Sequence, residues 1–211
     1  MSQLVACCFP GGVLLAADRR VAVERRGRDE IHSLRKLFPL GTCAAVATSG
    51  AAVGIAVSRS LHRFLQGRAS PHLEDLEAYA VSVFQKEYAA FIRQGERWFR
   101  IHPHAHRLSY VLLAGQEGAG HHAFRFYASE AHHEPYRLLP TGPLLTAPRR
   151  LGLEGRLARA VAGGATGEAL VELALEGLGI IGEKEPAVAP PFDWVLIRGA
   201  GITQGTDTTA P

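Results

Sequence analysis

The sequence predicts an α+β domain in which two stacked, mainly antiparallel sheets are covered by helices. Three observations carry this reading. Short apolar, β-favouring runs come in pairs around glycine-containing turns. Segments of helical periodicity come two at a time. The resulting order is strands, two helices, strands, two helices, strand, whereas a doubly wound fold would alternate single strands with single helices. Each hairpin group is expected to supply one sheet, and each helix pair to cover one outer face.

Residues 3–9 and 13–18 are two apolar runs around Pro10-Gly11-Gly12, the first hairpin. Residues 37–40 and 42–48 form a second pair around Gly41. A helix is expected over 51–66, where Val53, Val57, Leu61 and Phe64 recur at helical spacing. A second helix starts with Ser70 as cap and Pro71 in its first turn, continues through Leu73, Leu76, Ala80, Val83 and Phe91, and ends near Gly95. Residues 95–106 then read as a basic, aromatic, His-rich loop. Strands follow at 108–115, 122–127 and 136–139. Helices are expected over 144–162 and, after a Thr166 cap, over 167–181. The last strong strand spans 192–198. One domain over 1–202 is expected, with a small, polar, flexible tail over 203–211.

Composition narrows the function classes. With 47% hydrophobic and 20% charged residues over 211 positions, the chain can bury one sizeable core and is not a disordered polymer. A formal charge of +3, with arginine spread along the chain, gives no nucleic-acid-binding arm. No apolar stretch suits a bilayer span, and the N-terminus lacks the charged-then-apolar order of a signal peptide. Cys7, Cys8 and Cys43 sit in apolar strand candidates without metal-type spacing, which reads as reduced, buried thiols and a cytoplasmic protein.

The chemistry concentrates in the first fifty residues. The segment Gly12-Val-Leu-Leu-Ala-Ala-Asp-Arg-Arg20 resembles the second-strand motif of proteasome β-type subunits, whose catalytic Asp follows an N-terminal nucleophile by sixteen residues. Counting back from Asp18 by that separation reaches Ser2, which becomes N-terminal once Met1 is removed. Ser33-Leu-Arg-Lys-Leu-Phe38 resembles the strand that carries the family's active-site lysine, implying Lys36. The family's oxyanion-hole glycine lies fourteen residues beyond that lysine, and Gly50 stands there. Pro190-Pro191-Phe192-Asp193-Trp-Val-Leu-Ile197 resembles the final strand of the bacterial Anbu branch, and HslV-like proteins are neighbouring possibilities. The resemblance covers about residues 2–198. It implies the N-terminal-nucleophile (Ntn) hydrolase fold, a four-layer αββα sandwich.

By the same register, Thr141 and Glu185 replace the family's accessory Ser and Asp, and Val188 stands where a further Ser is found. The loop over 21–32 is about two residues longer than the family pattern on a hand alignment. The surroundings of Arg20, Val21 and Ile31 are implied to line the substrate side.

These residue types suit acyl transfer. A serine hydroxyl needs a base to take its proton. An N-terminal residue carries one in its own α-amine, whose pKa is about 7.7–8.0. An adjacent ammonium, Lys36, disfavours protonation of that amine, and Asp18 holds the lysine charged and oriented. The Gly50 N–H faces the oxyanion, a contribution of about 3 kcal/mol for one donor.

Two other signals compete. His102, His104 and His106 alternate, and the pairs at 121–122 and 132–133 add imidazoles, a pattern that could gather Zn²⁺ on one strand face. Pro103 and the lack of a Cys or placed carboxylate favour a solvated loop or subunit contact, so no metal and no cofactor are expected. Residues 162–167 lack the Lys-Ser/Thr of a phosphate loop and read as a helix–helix connector. Arg149, Arg150, Arg156 and Arg159 read as a solvated helix face or ring contact. The expected function is a self-compartmentalising endopeptidase that cleaves unfolded polypeptides inside homo-oligomeric rings, with an ATPase unfoldase as a possible partner. A catalytically inactive ring or scaffold homologue and a small-molecule amidohydrolase are the alternatives.

Overall fold

The computed structural model describes residues 2–25, 28–66, 72–102, 107–118, 120–129 and 136–209. Strands β1 (Leu4–Phe9) and β2 (Gly12–Asp18) form the first hairpin, turned at Gly11 with φ +90°. Next come β3 (Arg20–Arg25), β4 (Arg28–Ser33), β5 (Leu37–Leu40), β6 (Ala44–Gly50), α1 (Val53–Leu65) and α2 (Leu73–Ile101). The second half contains β7 (Ser109–Gln116), β8 (His122–Ala128), β9 (Arg137–Leu139), β10 (Leu144–Ala147), α3 (Leu151–Ala162), α4 (Gly167–Lys184), β11 (Phe192–Arg198) and β12 (Gly201–Asp207).

Two five-stranded antiparallel sheets result, ordered β10-β1-β2-β11-β12 and β5-β6-β7-β8-β9, with β3-β4 as a separate ribbon. Alternation along the strands explains the layering. In the first sheet, Leu4, Ala6, Val13, Leu15 and Ala17 meet Ala45, Ala47, Leu112 and Ala114 of the second sheet. The intervening Val5, Cys7, Leu14 and Ala16 pack instead under Leu157, Leu170, Ala174 and Leu178 of α3 and α4. On the far side, Val46, Val111 and Leu113 pack under α1 and α2 through Val57, Leu61, Leu76, Ala80 and Phe84. Strands buried on both faces read as continuous apolar runs, as in Val13–Ala17. This is the expected αββα sandwich. Burial pushes the Cys7 thiol up to about 12 and the Cys8 thiol to about 11, and neither is in a disulfide.

Five expectations are corrected. The first hairpin group does not supply one sheet: β1-β2 lie in one and β5-β6 in the other, because β1-β2 pair with β10 and β11 while β5-β6 pair with β7. The segment expected to open the third helix is strand β10, whose Leu144–Ala147 pair with Leu4–Cys7 of β1, and the helix begins only after Pro148. The tail does not fray at Thr203, since β12 pairs along β11 from Phe192↔Asp207 to Arg198↔Gly201. The 21–32 loop is the β3-β4 ribbon, consistent with its β-branched Val21 and Val23.

Finally, α2 does not stop at Gly95. There the missing side chain admits the Phe99 ring, one turn on, where a Cβ would come within 2.5 Å of it. Phe99 in turn packs edge-on against Phe91 at 5.3 Å and beneath the Arg107 guanidinium at 4.3 Å. The aromatic packing overrides the glycine's propensity cost of about 1 kcal/mol. Ser70 and Pro71 lie outside the described residues, and His72 occupies the capping position without a side-chain cap.

Candidate functional site

The C-terminal end of β2 delivers Asp18 beside the start of β1, because the hairpin pairs Leu4 with Ala17. Here the Gln3 N–H donates to Asp18 Oδ1 at 2.7 Å and the Arg20 N–H to Oδ2 at 2.9 Å. Lys36 immediately precedes β5, and its carbonyl accepts from Thr48 N at 3.0 Å. Its Nζ donates to Asp18 Oδ2 at 2.7 Å, to the Arg20 carbonyl at 2.5 Å and to Ser2 Oγ at 2.5 Å. All three donor positions of the ammonium are thus occupied. Ser2, Asp18 and Lys36, separated by up to 34 positions in the chain, meet as one hydrogen-bonded chain.

Two members of this cluster are buried, while Ser2 is half-buried at the cleft. Asp18 is 0% exposed and Lys36 is 2% exposed. Burial pushes the Lys36 ammonium below its ordinary value of 10.5, opposed by the Asp18 charge and hydrogen bond. Burial likewise raises the Asp18 carboxyl, opposed first by Lys36 and then by the N–H groups of Gln3 and Arg20. Each partner thus opposes, without outweighing, the effect of burial on the other.

Gly50 ends β6 with φ +86°, and a Cβ there would lie 2.4 Å from the Leu108 carbonyl, so only glycine fits. N–H groups alternate sides along a strand. Thr48 N points to Lys36 and Ala51 N to Leu108, which turns the Gly50 N–H away from β7 and towards the flank where β5 has ended. Gly50, Ser2 and Lys36 all border one cleft of about 790 Å³. Its walls come from the β3-β4 ribbon through Val21, Ala22, Val23 and Ile31, and from α2 through Phe91 and Trp98. That volume lies in the range of small-ligand and active-site clefts.

The accessory positions fare differently. Thr141 is exposed in the connection between β9 and β10 and does not border the cleft. Glu185 stands at the end of α4, and its carboxylate pairs with Arg150 Nη2 at 2.5 Å. Val188 is buried in the layer between helices and sheet. Neither Glu185 nor Val188 borders the cleft.

Three groups escaped the sequence reading. Gln3, 0% exposed, holds Asp18 through its backbone, while its side chain donates to the Pro148 carbonyl at 2.7 Å and accepts from Arg150 Nε at 3.0 Å. A glutamine opening an apolar strand is the signal that could have found it. Arg150 is therefore a half-buried brace between Gln3 and Glu185, not part of a solvated helix face. Arg19 makes a bidentate pair with Asp193 at 2.7 and 2.6 Å, and Thr206 donates to the same carboxylate at 2.7 Å, tying β11 and β12 to the end of β2. His102 stacks on Trp98 at 3.8 Å. His104, His106, His132 and His133 lie outside the described residues, and among the described residues no three metal-ligating side chains cluster.

No family model matches the chain, and no curated protein matches it. Solved structures do. An Anbu mutant from Hyphomicrobium sp. strain MC1 superposes with a TM-score of 0.68 at 14% identity, over 99% of this chain and 88% of that one. Anbu (ancestral beta-subunit) from Yersinia bercovieri gives 0.67 at 15% identity, over 98% and 87%. The chain therefore has the αββα fold of these ancestral β-subunits along essentially its whole length.

Proposed function

We propose that this chain is a proteasome β-type, N-terminal-nucleophile endopeptidase with Ser2 as nucleophile, acting on unfolded polypeptides inside a homo-oligomeric ring. The observation that carries the proposal is the 2.5 Å hydrogen bond between Lys36 Nζ and Ser2 Oγ at the foot of a large apolar cleft, with Asp18 behind it. The Anbu-like fold supports the same reading.

In the proposed reaction Met1 is removed and the Ser2 α-amine is released. Ser2 Oγ attacks the scissile carbonyl and its proton passes to that amine, directly or through one water. The buried Lys36 charge, fixed by Asp18, disfavours protonation of the amine and favours the alkoxide-like oxygen. The Gly50 N–H donates to the tetrahedral oxyanion, at about 3 kcal/mol for one such donor. The amine then protonates the leaving nitrogen, and water hydrolyses the acyl-ester. Thr141 and Glu185 take no direct part, and Glu185 acts through Arg150 and Gln3 on the position of Asp18.

The test compares wild type with Ser2→Ala on an unfolded protein and on fluorogenic peptides, alongside native mass spectrometry. Loss of hydrolysis in Ser2→Ala, with a closed ring in both proteins, is expected. Equal hydrolysis by the two proteins refutes the nucleophile. The exposed Thr141 and the commitment of Glu185 to Arg150 favour one alternative, an inactive ring or scaffold homologue. Intact rings without hydrolysis would identify it. A monomer hydrolysing small amides would identify an amidohydrolase instead.

A further inference from the structure

Arg20 borders the same cleft and has nothing to do there for the fold. Its backbone is committed: the N–H donates to Asp18 at 2.9 Å, and the carbonyl accepts from Lys36 at 2.5 Å. Its side chain is not. Nε is enclosed without an acceptor, and no carboxylate among the described residues pairs with the guanidinium. The contrast with its neighbour is direct, since Arg19, one position earlier, is saturated by Asp193 and Thr206. No Asp or Glu borders the cleft among the described residues, and Lys36, its other cation, is already neutralised by Asp18. The cleft's other walls are mainly apolar, including Val21, Ile31, Phe91 and Trp98. An arginine charge at the cleft wall with no protein carboxylate opposite it is available to an anion entering the cleft, through its terminal nitrogens rather than the enclosed Nε.

We propose that Arg20 is a specificity-determining residue whose guanidinium binds a carboxylate of the substrate next to the bond presented to Ser2. The proposal rests on the cleft being the substrate site. It adds the substrate class: peptides bearing an acidic side chain beside the scissile bond, or a free C-terminal carboxylate at that point. A planar guanidinium receives either carboxylate through two parallel N–H donors. Because both backbone polar groups of Arg20 are pinned to the Asp18–Lys36 pair, its side chain starts from a fixed point beside Ser2 and the anion would lie within its reach. Basic side chains would be disfavoured, as they would meet the Arg20 charge with no carboxylate on the cleft wall to offset it.

Binding measured on Ser2→Ala protein separates this inference from catalysis. Three hexapeptides serve as probes: one blocked at both ends with a central Glu, its Gln counterpart, and the Gln peptide with a free C-terminal carboxylate. Calorimetry is expected to show the Glu peptide binding about tenfold or more tighter than the blocked Gln peptide. In Ser2→Ala/Arg20→Gln that ratio falls to about one, and Arg20→Lys, which keeps charge but loses the fork, lies between. If the free-carboxylate peptide alone gains tenfold, the anion is a chain terminus; if the Glu peptide alone gains, it is a side chain. Equal binding of all three, no binding of any, or a preference that survives Arg20→Gln in protein that melts like wild type overturns the assignment. Failure of the peptidase reading would show separately, as undiminished hydrolysis by Ser2→Ala.

Discussion

Replacing Asp18 by Asn removes one charge from a pair that is almost wholly out of water. Lys36, 2% exposed, then has a neutral partner and keeps the Arg20 carbonyl and Ser2 Oγ as acceptors, with the amide oxygen as a third in only one of its two orientations. The carboxamide offers one oxygen where the carboxylate offered two, so the Gln3 N–H or the Arg20 N–H faces an amide donor instead of an acceptor. Breaking a buried pair from one side costs about 3–5 kcal/mol. At about 2–4 °C per kcal/mol for a domain of this size, the melting temperature should fall by about 6–20 °C. Lys36→Met leaves the opposite charge stranded and should also be strongly destabilising. Asp18→Asn/Lys36→Met strands none. The double variant should therefore lie above the sum of the singles by about 2 kcal/mol or more in a urea-denaturation cycle. A shift under 2 °C for Asp18→Asn, or strict additivity in the cycle, would refute a buried, mutually dependent pair.

The depressed Lys36 titration has a pH signature. Between its folded value and the ordinary 10.5, the unfolded chain holds a proton that the folded chain has released, so this group's contribution to stability rises with pH. Wild type should gain on Lys36→Met as pH rises towards 10.5, read as urea midpoints along the rise, and parallel profiles would contradict the assignment. Gly50→Ala should cost stability and hydrolysis together, since φ +86° and the Leu108 carbonyl at 2.4 Å both oppose a Cβ. A variant that melts like wild type would show that the backbone there is not held as described. Arg150→Ala removes the brace on Gln3 and Glu185. It should lower kcat several-fold with KM nearly unchanged, because Gln3 is bonded to Ser2 and holds Asp18 but does not border the cleft. A change confined to KM would place Arg150 against substrate instead.

How far the sequence was legible depends on range. The β1-β2 hairpin could be read because Gly11 and the flanking apolar runs are local, and α1 could because Val53, Val57 and Leu61 follow one face. Strand β10 was read as helix because four residues, Leu144–Ala147, carry no period of their own and become strand only by pairing with β1. Strand β12, polar and small, likewise takes its structure from β11. Gly95 misled because its reason for being glycine is the Phe99 ring, a tertiary fact. Within the candidate site, Ser2, Asp18, Lys36 and Gly50 were placed by motif spacing, and the fold brings Ser2, Lys36 and Gly50 to one cleft with Asp18 buried behind Lys36. Thr141 and Glu185 came from a register carried across residues 66–107, where the resemblance is diffuse, so the count beyond them is not anchored. Gln3 and Arg150 carry no motif at all, and their importance exists only as hydrogen bonds across about 145 residues of chain.

The most direct measurement is the intact mass of purified protein after incubation with a peptide β-lactone, an acylating probe whose ring opens onto a hydroxyl nucleophile. The account predicts a chain beginning at Ser2 that carries one acyl group on Ser2 Oγ, and no such adduct in Ser2→Ala or after Lys36→Met. A chain that hydrolyses peptides while still beginning at Met1, or one acylated at any other residue with Ser2 untouched, would contradict it.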